Sequence, residues 1–391
     1  MKYTFDTPYQ RKNTNCVKFD LADSIYQNKN IIPMWVADMD FQTAPEVIDY
    51  LRERIDHGIF GYSFLSREYY NSIKNWVKNE HNWDIGINEI CFSPGVVPAI
   101  YFILQTFSKE KDKIAIQTPV YFMFQKAIND TGRIITDNPL TQEELFYSIN
   151  FNDLEKKFQS GTKIFLLCNP QNPTGRVFTA EELLKIGELA VKYNVLIFSD
   201  EIHYDLIRPN HKHIPIASLS EKISQQTITA ISASKSFNLN GLNTASVIIK
   251  NPKLREKYNS FVKKIHINSP NTFGHLATYA ALTQGKSWLK ELNKYLHTNH
   301  NFIADYCAKN IPQVQVCPSE ATFLTWLNFD KLKFNQKELV NFINHNCNLG
   351  LSSGTDFGSN GKGFMRMNIA CPKTTLKKAL ENLESGVNNL Q

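Results

Sequence analysis

Short apolar runs rich in β-branched residues recur through the middle of this chain, separated by stretches of helical period. Few folds accommodate that alternation. Lys113 to Gln117, Lys163 to Cys168, Val195 to Ser199, Thr227 to Ile231 and Ser246 to Lys250 read as strands, each bounded by polar or turn residues. Helical patterns fall between them at Pro98 to Phe107, Tyr121 to Thr131 and Ala180 to Tyr193. Strands that alternate with helices line up parallel and take helices on their faces. The expected class is α/β with a mostly parallel sheet.

The C-terminal third has a different rhythm. Long helical patterns at Leu254 to His266, Thr272 to Thr283 and Ser287 to Lys309 come first. Strand-like Thr322 to Asn328 and Phe364 to Ile369 follow, with helices at Gln336 to Cys347 and Lys373 to Glu384. This reads as a smaller α+β unit. A large domain is expected over residues 45–285, and a small one from residues 1–44 together with 286–391. A chain of 391 residues is long enough for such a division.

Composition excludes several classes. The 43 basic residues exceed the 37 acidic ones only slightly, and no basic stripe is interleaved with aromatics, so nucleic-acid binding is not expected. No apolar stretch reaches about 18 residues, so no membrane span is expected. The seven cysteines are scattered and form no C-x-x-C pair, which argues against a zinc ribbon and suits a reducing compartment. Met1 to Asn13 lacks an apolar core, so a cytoplasmic protein without a secretory leader is expected. His211 and His213 flank Lys212 without an adjacent carboxylate. They read as surface loop histidines, and no metal is expected.

Four segments carry candidate chemistry. Ser232-Ala233-Ser234-Lys235-Ser236-Phe237-Asn238 follows the strand Thr227 to Ile231. In an open α/β sheet ligands gather at such strand ends, where an amine can form an imine with an aldehyde cofactor. Ser199-Asp200-Glu201-Ile202-His203 follows the apolar run Val195 to Phe198. Asp200 there serves either as a helix cap or as a carboxylate held against a pyridine nitrogen. Asn169-Pro170-Gln171-Asn172-Pro173-Thr174-Gly175 enforces a tight loop after a third strand. Ser93-Pro94-Gly95-Val96-Val97-Pro98 opens an apolar helix whose free N–H groups suit a phosphate. Each segment alone also reads as an ordinary turn or helix start.

In this order, the Gly95 loop, Asn172, Asp200 and Lys235 resemble the fold-type I pyridoxal 5′-phosphate (PLP) enzymes of the aspartate aminotransferase superfamily, over essentially the whole chain. Pro33-Met34-Trp35-Val36-Ala37-Asp38-Met39-Asp40-Phe41, Phe60-Gly61-Tyr62-Ser63 and Gly363-Phe364-Met365-Arg366-Met367-Asn368-Ile369-Ala370-Cys371-Pro372 resemble the MalY/PatB-type cystathionine β-lyases, or C–S lyases. The resemblance implies a seven-stranded, mostly parallel sheet in the large domain, PLP as cofactor, an amino-acid substrate and a homodimer with shared sites. It implies Lys235 as the PLP-bearing amine and general base, Asp200 at the ring nitrogen, Asn172 and His203 near ring substituents, and Tyr121 stacked on the ring. Val96, Val97, Ser232 and Ser234 would contact the phosphate, with Tyr62 arriving from the neighbouring subunit. Ser232 is the better match to the superfamily's phosphate serine. Arg366 would hold the substrate carboxylate, with Ala37, Asn172 and Tyr62 also near the substrate.

The resemblance further implies release of a thiol from the β-carbon of an L-amino acid, leaving pyruvate and ammonia. A class I/II aminotransferase is the alternative within enzymes, and a regulator that binds a transcription factor is the alternative outside them. Asn243 stands where many relatives have a phosphate-pairing Arg, Phe19 where the subgroup usually has Trp, and Phe122 where some members have a second Tyr.

Overall fold

The computed structural model describes residues 3–267 and 269–390. A seven-stranded sheet organises the first two-thirds of the chain. Its strands lie in the order Ile90–Ser93, Ala245–Ile249, Thr227–Ile231, Leu196–Asp200, Thr162–Cys168, Lys113–Ile116 and Ile134–Asp137. Ala245–Ile249 runs antiparallel to both its neighbours, and the other pairs are parallel. Five of these strands are those expected from periodicity. The two that periodicity did not mark out, Ile90–Ser93 and Ile134–Asp137, are the sheet's short edges, where a few residues leave no pattern to read.

Alternation along the strands sorts the core. Ile164, Leu166 and Cys168 pack on one face with Leu196, Phe198, Ile228 and Ala230. Phe165, Leu167 and Ile197 pack on the other with Phe178 and Ile186. Cys168 pairs in register with Asp200 across adjacent parallel strands, so both side chains leave the same face at the sheet's C-terminal edge.

Local signals place the helices. Ala180–Tyr193 starts at a reciprocal capping box between Thr179 and Glu182 and stops at left-handed Asn194. Arg67–His81, which the sequence patterns did not single out, is capped by Ser66.

A second, four-stranded antiparallel sheet has the order Gln315–Val316, Leu324–Asn328, Phe364–Asn368 and Ser352–Ser353. It follows the long helix Lys286–Asn310. Near the N-terminus, Ile32–Pro33 pairs with Leu349–Gly350, which brings the segment after it beside the strand that carries Arg366. Among the described residues no helix is long and apolar enough to cross a membrane. The cysteines are unbonded thiols, all buried except half-buried Cys16.

His213 corrects one expectation. It is not on the surface: its Nε2 lies 2.8 Å from Glu201 Oε2, and both side chains are fully buried. The loop folds back under the strand-end segment, a contact that sequence spacing does not reveal.

Candidate active site

Asp200 ends its strand in full burial, where its carboxylate accepts the Ile202 N–H at 3.1 Å. Burial pushes its pKa up to about 7, against the pull of that N–H and of Lys235. A carboxyl at that value is only partly ionised near neutral pH unless a positive or proton-bearing partner joins it.

Lys235 stands on the helical turn Ala233–Ser236 that follows Thr227–Ile231. Ser232 caps that turn, accepting from Ser234 N at 3.0 Å and donating to Thr244 O at 2.6 Å. Ser236 anchors the turn from below by donating to Asp205 at 2.7 Å. Lys235 Nζ donates to the Ala37 carbonyl at 2.5 Å. Burial lowers the lysine pKa to about 8; Asp38 opposes that shift, Arg366 adds to it, and Asp200 opposes it.

A cavity of about 230 Å³ joins these groups. Lys235, Asp200, Asn172, Tyr121, His203 and Ala37 line it, and so do Val96, Val97 and Ser234 at the start of their helices. His203 is buried, and burial, with Lys235 and Arg366 nearby, depresses it to about 3, so it is neutral. Its Nδ1 has no hydrogen-bond partner among the described residues.

Arg366 lies just behind the lining, on the central strand Phe364–Asn368. Its Nη1 donates to Asn172 Oδ1 at 3.1 Å and its Nη2 to Trp35 O at 2.8 Å. The guanidinium sits over the Phe357 ring at 4.8 Å. Its buried Nε–H has no partner among the described residues. Burial lowers its pKa to about 10, which leaves it cationic.

These groups suit a phosphorylated pyridine. Asp200 offers an acceptor that needs a protonated nitrogen, and His203 offers an unpartnered buried ring atom. The helix Val96–Phe107 begins at Gly95 without a capping side chain, which leaves its first N–H groups for an anion. A Cβ on Gly95 would come within 3.2 Å of the Pro98 ring, so glycine keeps that approach open.

Residues 29–383 match the family model described as aminotransferase class I and II. The chain belongs to that family. It is 36% identical over 98% of its length to cystathionine beta-lyase PatB of Bacillus subtilis, covering 99% of that protein. Among solved structures it is similar to cystalysin from Treponema denticola, which contains pyridoxal 5′-phosphate, at 34% identity and a TM-score of 0.97 over 100% of both chains. It is also similar to the PLP-bound C–S lyase from Staphylococcus hominis, at 32% identity and a TM-score of 0.91, covering 99% of this chain and 98% of that one.

Within this aminotransferase-family fold, three expected site residues are not part of the cavity lining: Arg366 just behind it, Ser232 and Tyr62. The Ser232 hydroxyl is engaged by Thr244 and Ser234, as described above. Tyr62 is fully exposed and borders a separate cavity of about 590 Å³, beside Tyr69 and His275. That larger cavity shares no lining residue with the smaller one. Asn240 and Thr244 line the smaller cavity without having been singled out, and Asn243 lines it too, at φ 47°. No local motif marks them; they arrive because the chain turns back over the lysine. Phe122 is exposed with its ring 4.8 Å from Tyr121, and Phe19 lies under Arg11 at 5.2 Å.

Proposed function

We propose that this chain is a PLP-dependent C–S lyase of the cystathionine β-lyase type, which expels a thiol from an L-amino acid and leaves pyruvate and ammonia. The full-length similarity to a cystathionine β-lyase and a C–S lyase carries this reading.

Bound in the cavity, PLP supplies an aldehyde that captures the substrate amine and a ring that draws electrons from the α-carbon. Asp200 would keep the pyridine nitrogen protonated, and that cation in turn would keep Asp200 ionised. Asn172 and His203 would meet ring substituents, and Tyr121 the ring face. The N–H groups of Val96 and Val97 would meet the phosphate together with the Ser234 hydroxyl, while Ser232, whose proton goes to Thr244 O, would hold that turn in place. Arg366 would take the substrate carboxylate through its planar fork, using the unpartnered Nε–H. Lys235 Nζ would remove the α-proton. A pKa near 8 leaves a useful fraction of neutral amine near neutral pH. The α-carbon's electron pair would then form a Cα=Cβ bond as the Cβ–S bond breaks and its pair leaves with sulfur as thiolate, and water would hydrolyse the freed enamine to pyruvate and ammonia.

The exposed apolar residues Ile59, Phe60, Tyr62 and Phe64 support a homodimer in which Tyr62 reaches the phosphate end of the partner's site. Unbonded thiols support a cytoplasmic location. The test is incubation with L-cystathionine while assaying both pyruvate and amino transfer to a keto acid. Pyruvate with little amino transfer is the expected result. Amino transfer alone across a panel of β-thio amino acids would overturn elimination in favour of transamination.

A further inference from the structure

The segment Met34 to Phe41 crosses between the two residues on which the proposed reaction depends, and almost every carbonyl along it is held. Trp35 O accepts from Arg366 at 2.8 Å and Ala37 O from Lys235 at 2.5 Å. The carbonyls flanking Ala37, those of Val36 and Asp38, both accept from Asn368 Nδ2 at 2.6 Å. Asn368 Oδ1 is fixed in turn by Ala370 N at 2.8 Å, and the Asn368 N–H holds Met34 O at 2.8 Å. Farther along, Asn238 Nδ2 donates to Met39 O at 3.0 Å and Phe41 O at 2.8 Å, while its Oδ1 accepts from Met39 N at 2.9 Å. Asn368 follows Arg366 by two positions on one strand. Asn238 follows Lys235 by three and stands in the left-handed region at φ 57°, which asparagine tolerates.

Ion pairs close the outer side of the segment. Arg11 meets Asp38 at 2.5 Å and Asp40 at 2.6 Å, and buried Lys18 meets Asp40 at 2.9 Å. The segment is thus one mechanical link between the lysine-bearing turn and the arginine-bearing strand.

We infer that Asn368 and Asn238 are positioning residues: by pinning residues 34–41 from both sides, they set the spacing between Lys235 Nζ and the Arg366 guanidinium. The inference rests on the proposed reading for the roles of Lys235 and Arg366. Neither asparagine lines the cavity, so each acts through the segment. A contribution to folding alone would lower stability and leave each correctly loaded site as active as before. A positioning role moves substrate capture and turnover together, because one displaced segment disturbs both Arg366 and Lys235.

Asn368→Asp keeps the shape and the acceptor for Ala370 N and sets a carboxylate oxygen against two carbonyls. Asn238→Asp does the same at the other end while still accepting from Met39 N. Asn368→Leu removes the bonds without adding charge. Three quantities decide the matter: hydrogen–deuterium exchange of amides 34–41 in cofactor-free protein, the Kd of L-alanine read from the visible spectrum of loaded protein, and kcat per loaded site. L-Alanine has a carboxylate to bind and no β-leaving group to lose.

Exchange at least tenfold faster and concentrated in 34–41, a Kd at least tenfold weaker and a kcat at least tenfold lower are expected for each variant that folds. Faster exchange with Kd and kcat both within twofold of the parent would overturn the inference, and so would unchanged exchange. Should Asn368→Asp not fold, Asn238→Asp and Asn368→Leu carry the same comparison. Should the parent release no pyruvate, the lyase reading fails by itself. Exchange and L-alanine affinity still decide this inference, because neither depends on which substrate bond breaks.

Discussion

The carbonyl oxygen of Ala37 receives the Lys235 ammonium at 2.5 Å, across 198 positions of sequence. That contact aims the amine into the cavity shared with Asp200. Lys235→Ala is expected to lose the visible absorption of lysine-linked cofactor and to lower pyruvate release by about 100-fold or more, the usual scale for a lost general base. Absorbance and a pyruvate assay on the same folded sample check it. Turnover at the parent rate would remove Lys235 from the reaction.

Arg366 has a fork that lysine cannot copy. Arg366→Ala is expected to raise KM about 30-fold or more, equivalent to ~2 kcal/mol of lost carboxylate binding, with a smaller change in kcat. Arg366→Lys should recover only part of this, since a point charge cannot make two parallel bonds or cover the Phe357 ring. Steady-state kinetics on all three proteins provides the check, and complete recovery by lysine would count against a two-bond contact.

Gly175 closes the loop that carries Asn172. It has φ +75°, and a Cβ there would stand 2.3 Å from Ser319 Oγ. Gly175→Ala is expected to lower unfolding free energy by more than about 1 kcal/mol, because strain in φ and the clash add. Adding Ser319→Gly should restore the steric part alone. Denaturant unfolding curves measure both effects, and an unchanged midpoint for the single variant would contradict the geometry.

His300 predicts a pH dependence of stability. Burial, with Arg208 and His297 adding, lowers it to about 3, and its Nε2 has no partner among the described residues. The folded protein keeps it neutral, whereas the unfolded chain takes up a proton below about pH 6.5. The stability tied to this group is therefore present above that value and drains away as pH falls towards 3. The slope approaches about 1.4 kcal/mol per pH unit. Between pH 7.5 and 5.5 the parent should lose about 1 kcal/mol more than His300→Leu. Parallel unfolding curves for the two proteins would show that the histidine is protonated in the fold.

Tyr62 offers a test of assembly. Lys235→Ala and Tyr62→Ala proteins, once each is shown to be strongly impaired alone, are denatured together and refolded. One site of a mixed dimer carries both defects, while the other draws an intact lysine from one chain and an intact tyrosine from its partner. Activity that neither protein shows alone is expected, about half the parent value per mixed dimer. Verified mixed dimers without activity would dispose of the shared site.

Much of the site was legible because its carriers are local. Short apolar runs mark the buried strands, and the residues at their ends, Asn172, Asp200 and Lys235, follow within a few positions. The edges Ile90–Ser93 and Ile134–Asp137 were not legible, since four residues on a sheet border carry little periodicity. Nor was the burial of His213 on Glu201, which looked like surface from its loop composition.

By itself the sequence determined which strands form the sheet's centre, which residues stand at their ends, and which family those residues resemble. Only the tertiary structure decided that Ser232 spends its hydroxyl on Thr244, that Tyr62 lies outside its own chain's cavity, and that Asn238 and Asn368 grip one segment from both sides. Strand periodicity and turn chemistry act between near neighbours and leave a local imprint. The hydrogen bonds that aim Lys235 and Arg366 join residues about 200 and 330 positions apart, and nothing in local spacing encodes which carbonyl a distant amide will meet.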